Sequence, residues 1–106
     1  MLYKFKSRAT ADLVMLEAAG RRLLEVLGRE PSAQGIFEAD DLPALMQQLE
    51  RAIEQEEALL EQAEREAQAQ GQTIRRPEVS LRQRLWPMRE MMRRSQAEGH
   101  PIVWGV

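Results

Sequence analysis

The chain has 106 residues, of which 43% are apolar and 30% charged, and its net charge is −2. These values predict one soluble domain, because two cores of half this size would each be too small to be stable, and they favour neither nucleic acid binding nor an acidic tail. The chain has no cysteine, which excludes disulfides, thiolate catalysis and sulfur-ligated zinc.

The first predicted element is a β-hairpin. Residues 2–6 alternate, with Tyr3 and Phe5 on one face, which is the period of a half-buried strand. The polar and small residues 7–12 predict a loop longer than the tightest turns, and the apolar run 13–16 predicts the returning strand. The start lacks the apolar stretch of a signal peptide, and no other apolar run approaches the ~20 residues that span a bilayer, so we expect a cytoplasmic protein.

Two helices are predicted next. Leucines recur at helical spacing in residues 18–27, and Gly28 stands where a left-handed cap is expected. Residues 36–37 are expected to be extended, and Asp40 or Asp41 offers an N-cap for a second helix that reaches Gly71. About thirty residues at about 1.5 Å each make roughly 45 Å, which exceeds the diameter of a domain this small. Residues 54–72 are therefore predicted to project as an arm.

A third helix and a closing strand complete the prediction. Ser80 and Gln83 match a capping box, the helix runs to Glu98, and Pro87 predicts a kink within it. Residues 102–104 are expected to form a strand that joins the hairpin. The predicted fold class is α+β in one domain over residues 1–106: a small, mainly antiparallel sheet packed with helices, including a long helical hairpin.

The last two helices carry opposite charges. At 100° per residue, one stripe of the last helix contains Arg82, Trp86, Arg89 and Arg93. A matching stripe of the long helix contains Glu50, Glu54, Glu57, Glu61 and Glu64. Antiparallel packing would bring the two stripes together, which predicts structural ion pairs that orient the hairpin.

Three functional interpretations of the arginine stripe remain beside this structural one. It is a contact surface for another protein or a second copy of the chain, or it binds an anionic ligand or nucleic acid with Trp86 as a stacking surface. In the third, the helix lies on a membrane or in a partner's groove. The small net charge and the nearby carboxylates disfavour nucleic acid, and methionines such as Met88 and Met92 more often fill a core.

No pattern in the sequence predicts catalysis. His100 is the only histidine and precedes a proline in a predicted turn, where a loop role is far commoner than that of a base. The chain has no glycine-rich phosphate loop and no spacing typical of metal ligands. We therefore expect a non-enzymatic interaction or accessory protein with no catalytic, cofactor or metal site, whose partner contact is made by Arg82, Trp86, Arg89 and Arg93.

Four segments carry a resemblance to a known family. They are Met1-Leu2-Tyr3-Lys4-Phe5-Lys6-Ser7-Arg8-Ala9-Thr10, Asp12-Leu13-Val14-Met15-Leu16, Val79-Ser80-Leu81-Arg82-Gln83-Arg84-Leu85-Trp86-Pro87 and Pro101-Ile102-Val103-Trp104-Gly105-Val106. Over essentially its full length the chain resembles the bacterial family named domain of unknown function 1840. The resemblance implies no activity, ligand or catalytic residue. Its signature includes Arg82, Arg84, Trp86 and Pro87, which directs attention to residues 80–94.

Overall fold

The computed structural model describes residues 2–106, which form four strands, three α-helices and one short 3₁₀ helix. In chain order these are β1 (Leu2–Ser7), β2 (Thr10–Leu16), α1 (Glu17–Val26), β3 (Gly35–Phe37), the 3₁₀ helix (Ala39–Asp41), α2 (Leu42–Ala69), α3 (Leu81–Glu98) and β4 (Ile102–Trp104). The predicted α+β class is confirmed.

The sheet joins both ends of the described chain. Its strand order is β2-β1-β4-β3, and all neighbours are antiparallel. The predicted closing strand is confirmed: β4 pairs with β1, where Trp104 lies opposite Phe5, and with β3 on its other side. The two central strands are therefore the first and the last in the sequence.

The predicted hairpin forms, but its predicted long loop is wrong. Ser7 pairs with Thr10, so that only Arg8 and Ala9 make the turn. A register shift between Phe5 and Ser7 precedes the turn, and the Ser7 hydroxyl accepts a hydrogen bond from the backbone N–H of Ala9 at 3.2 Å. Residues 10–12 are small or polar because β2 is an edge strand with one face in solvent, and this composition is indistinguishable from that of a loop.

The core lies between the inner face of the sheet and the three helices. Aromatic side chains cover the sheet: the rings of Phe37 and Trp104 are 4.7 Å apart, and Phe5 is 5.5 Å from Trp104. The Trp104 indole N–H is satisfied by the Ser32 carbonyl at 3.0 Å. The helices contribute buried aliphatic side chains: Leu23, Leu24, Leu42, Leu45, Leu49, Ile53, Leu85, Met88, Met91 and Met92. The methionines of α3 are thus core residues.

The helix boundaries follow from local capping chemistry. Ser80 and Gln83 form both bonds of the predicted capping box, and Gly99 ends α3 in the left-handed conformation at φ 72°. Pro87 lies inside α3 without ending it. Asp41 precedes α2, but its side chain makes no capping bond, because Asp41 is the last residue of the 3₁₀ helix and its backbone already has helical angles. The expectation of a side-chain cap there is wrong.

The far half of α2 extends beyond the core. The last core residue on α2 is Ile53, and α3 begins only at Leu81, so residues 54–69 continue outward while residues 70–80 run back beside them. The described chain measures 51 × 28 × 22 Å with a radius of gyration of 15.8 Å. A compact chain of this length would have about 13 Å, so the molecule is elongated along α2.

Candidate functional site

The glutamate flank of α2 meets the arginine flank of α3. The guanidinium of Arg82 donates two hydrogen bonds to the carboxylate of Glu57, at 3.0 and 2.8 Å. About two helical turns further along α3, Arg89 Nε donates to Glu50 at 2.9 Å. The bidentate geometry at Arg82 is the stronger kind of charge-assisted bond. The two stripes predicted from the sequence therefore pair at Arg82 and Arg89.

Two further arginines, Arg76 and Arg93, form ion pairs that do not join α2 to α3. Arg76, in the returning segment, pairs with Glu64 and so ties that segment to the outer part of α2. Arg93 bonds to Glu90 of its own helix at 3.0 Å and to no glutamate of α2. Of the four residues predicted to form one contact, Arg93 is thus set apart from the cross-helix pairs.

These ion pairs shift the pKa values of their carboxyl groups. The hydrogen bonds from Arg82 hold the pKa of Glu57 below its ordinary value, and Arg76 lowers the pKa of Glu64 in the same way. The pKa of Glu90 is lowered by Arg93 first and by Arg89 second. In each case the charged acceptor is favoured because it receives charge-assisted bonds. The three carboxylates are therefore ionised at neutral pH.

Trp86 lies between the two cross-helix guanidiniums. The Cζ atoms of Arg82 and Arg89 are 5.4 and 5.0 Å from the centre of its ring, within the range of cation–π attraction. Trp86 is 36% exposed, whereas Trp104 in the core is 3% exposed. We call the exposed area formed by Arg82, Gln83, Trp86, Pro87 and Arg89 the Trp86 surface. It combines a fixed aromatic ring with an open approach from solvent.

Within residues 2–106 no three acidic or histidine side chains are placed to hold a metal ion. None of the described helices is both long and apolar enough to cross a membrane.

A cleft on the opposite side of α3 was not foreseen from the sequence. Arg84 of α3, Arg22 of α1 and Glu56 of α2 border it, and its volume is about 310 Å³. Arg84 is two residues from Arg82 and therefore points about 200° away from it around the helix. The helical spacing is enough to predict that Arg84 lies outside the arginine stripe. No sequence pattern predicts that Arg22 and Glu56 lie near Arg84.

The comparisons with known proteins assign the chain to a family of unknown function. Residues 1–104 match the family model described as "Domain of unknown function (DUF1840)". The match covers nearly all of the 106 residues. A search of curated proteins and a search of solved structures found no match.

Proposed function

The chain belongs to the family of domain of unknown function (DUF1840), and we propose that it is a non-enzymatic interaction domain that binds a partner protein through the Trp86 surface. The observation that carries this proposal is that Trp86 is 36% exposed although two guanidiniums lie over its ring. Tryptophan and arginine are the residues that most often dominate the energy of protein interfaces.

The Trp86 surface is organised before any partner arrives. Glu57 holds the Arg82 guanidinium with two hydrogen bonds, and Glu50 holds Arg89. Long side chains usually lose about 0.5 to 1.5 kcal/mol of entropy each when an interface immobilises them. Because these side chains are already restrained on folding, binding through them loses less entropy than binding through free arginines.

The charges on this surface indicate which partner fits. Each of the two arginines beside Trp86 is matched by a glutamate, so the surface is close to neutral. A partner that places an apolar side chain on the indole and polar groups around it is complementary. A nucleic acid is less well supported, because Glu50 and Glu57 would repel the phosphates that Arg82 and Arg89 attract.

Site-specific crosslinking in the native host tests the proposal. A photoreactive amino acid at Gln83, beside Trp86, should capture one protein, whereas the same group at Leu59, which is 64% exposed on the far part of α2, should not. Trp86→Ala should weaken binding of the captured protein by about thirtyfold, the effect of about 2 kcal/mol at a hot spot. Leu59→Ala is the matched control and should leave binding unchanged.

Measuring the melting temperature of each variant as well as its binding distinguishes a lost partner contact from a lost fold. Trp86 lies outside the core, so Trp86→Ala should melt close to the wild type. Binding that survives Trp86→Ala in a folded variant contradicts the proposal. Equal capture from positions 83 and 59 also contradicts it, because the contact would then not be centred on Trp86.

A further inference from the structure

The cleft between the three helices has the size and lining of a small-molecule site. Its apolar walls include Ala19 of α1, Leu81 and Leu85 of α3, and Val79 just before α3. A volume of about 310 Å³ lies at the lower end of the range for ligand sites, which begins at about 300 Å³. At about 30 Å³ for each water-sized group, it accommodates about ten non-hydrogen atoms.

The charged side chains that border this cleft are unpaired within residues 2–106. Across residues 2–106, Arg22, Glu56 and Arg84 take part in no ion pair within 4.0 Å and in no side-chain hydrogen bond, whereas Arg82 and Arg89 on the other flank of α3 are both paired with glutamates. Two guanidiniums that border one cleft repel each other. An anion placed between them would remove that repulsion and supply acceptors for their N–H groups.

We propose that this cleft binds a small amphipathic anion of about ten non-hydrogen atoms in all, with its carboxylate or phosphate held by Arg22 and Arg84 and its apolar body against Leu81 and Leu85. Glu56 accepts a hydrogen bond from a donor on the ligand where one is present. The paired arginines of the Trp86 surface have no part in this site, so it is a second function beyond the proposed protein contact.

The outer wall of the cleft can adapt to a ligand. Pro77 and Val79 line it, and they belong to residues 73–79, which make no backbone hydrogen bond to another backbone group. The segment is tied down instead by the side-chain pair of Arg76 with Glu64. Movement of this wall therefore breaks no helix or sheet bonding, so a ligand can enter at little cost to the fold.

Binding of defined probes to the full chain tests this proposal. Octanoate has ten non-hydrogen atoms and should bind below its micellar concentration, with NMR shifts confined to the residues that line the cleft, including Ala19, Arg22, Leu81 and Arg84. Octylamine, which has the same tail and the opposite charge, should bind at least about tenfold more weakly. Phenyl phosphate distinguishes a phosphate from a carboxylate ligand, and binding of either anion at the cleft supports the proposal.

Substitutions of the two arginines test where the anionic group of the ligand binds. Arg22→Gln and Arg84→Gln should each weaken octanoate binding at least about tenfold. Arg75→Gln is the matched control, because Arg75 is exposed and does not line the cleft. All three residues are exposed, so each variant should melt like the wild type. Equal binding by the Arg84 and Arg75 variants, equal binding of octylamine, or no binding of either anion overturns the proposal. Trp86→Ala should bind octanoate normally.

Discussion

Gly105 occupies a position that no other residue can fill without displacing backbone. Its φ is 76°, in the left-handed region, and a Cβ built there would lie 2.1 Å from the carbonyl oxygen of Ala33. The neighbouring carbonyl of Ser32 accepts the Trp104 indole hydrogen bond. A side chain at Gly105 would therefore move the segment that holds the tryptophan of the last strand.

Gly105→Ala is accordingly expected to be strongly destabilising. The left-handed backbone alone costs a residue with a Cβ about 1 to 2 kcal/mol, and the clash with Ala33 adds to it. Gly28→Ala is the control, because Gly28 has a φ of 71° but nothing within 4 Å of its Cβ position. Urea unfolding should give a loss of about 1 kcal/mol for Gly28→Ala and about 3 kcal/mol or more for Gly105→Ala. Equal losses would mean that the close approach to Ala33 has no energetic weight.

Individual site residues were predictable only where one helix places them. The spacing of Arg82, Trp86 and Arg89 is set by α3 itself, so their common stripe could be read from the sequence. The cleft brings together Arg22, Glu56 and Arg84 from three helices that are far apart in sequence. Their meeting depends on tertiary packing, which periodicity does not encode.

The helical hairpin is held in register by its charged pairs as well as by its core. Arg82 and Arg89 are both bonded to glutamates of α2, at positions separated by seven residues on each helix. Both residues of a pair are well exposed at Arg82 and Glu57, so solvent screens that interaction. The pairs therefore mainly set the alignment of the helices.

Reversal of these charges tests their structural role. Arg82→Glu with Arg89→Glu should lower the melting temperature, because each new glutamate would face an existing one. Adding Glu57→Arg and Glu50→Arg should restore most of the loss, since the pairs are then rebuilt with opposite polarity. Circular dichroism during heating measures both effects. Arg8→Glu with Arg75→Glu serves as the control with the same change of net charge, since both arginines are exposed. An equal fall in melting temperature for this control would show that net charge alone is responsible.

The lowered pKa values of Glu57 and Glu64 predict a pH dependence. A carboxyl whose pKa is lower in the folded chain adds stability above its ordinary value of about 4.3, and that stability is lost as the pH falls through the folded value. The difference in melting temperature between the wild type and Glu57→Gln with Glu64→Gln should thus be greatest near neutral pH. It should narrow as the pH is lowered below about 4.3. A difference that widens in acid would contradict the assigned sign.

Helices could be predicted more accurately than the hairpin for a physical reason. Ser80 with Gln83, Gly28 and Gly99 each act on backbone groups within one turn, so their effect is visible in a short stretch of sequence. The start of β2 depends on pairing with β1, and its exposed side chains are those of a loop. The predicted loop of residues 7–12 was therefore too long.

At the scale of the whole molecule, stability is unevenly distributed. The contiguous core includes Leu42, Leu45, Leu49 and Ile53 of α2 but no residue of its outer part. Residues 58–69 lie beside the returning segment 70–80, which is attached to them by the ion pair of Arg76 with Glu64. The outer part of α2 should therefore open without unfolding the rest of the domain.

Native-state hydrogen exchange measures this difference. Amides of residues 58–69 should exchange faster than those of residues 45–53, whose exchange requires global unfolding. Glu64→Gln should accelerate exchange in the outer part and leave the inner part nearly unchanged. Uniform protection along α2 would show that the helix behaves as one cooperative unit.

The central position of β4 in the sheet also determines when the sheet can be completed during synthesis. During synthesis β4 emerges after every other element of the domain, yet it is the strand that joins the β1–β2 hairpin to β3. Until it arrives, the inner faces of Phe5 and Phe37 lack the Trp104 ring that lies against both of them. Before β4 is made, the nascent chain therefore contains two parts of the sheet that are not yet joined, and their aromatic side chains are exposed. Exposed apolar surface of this kind is what chaperones bind, and the native core is complete only when Trp104 is added.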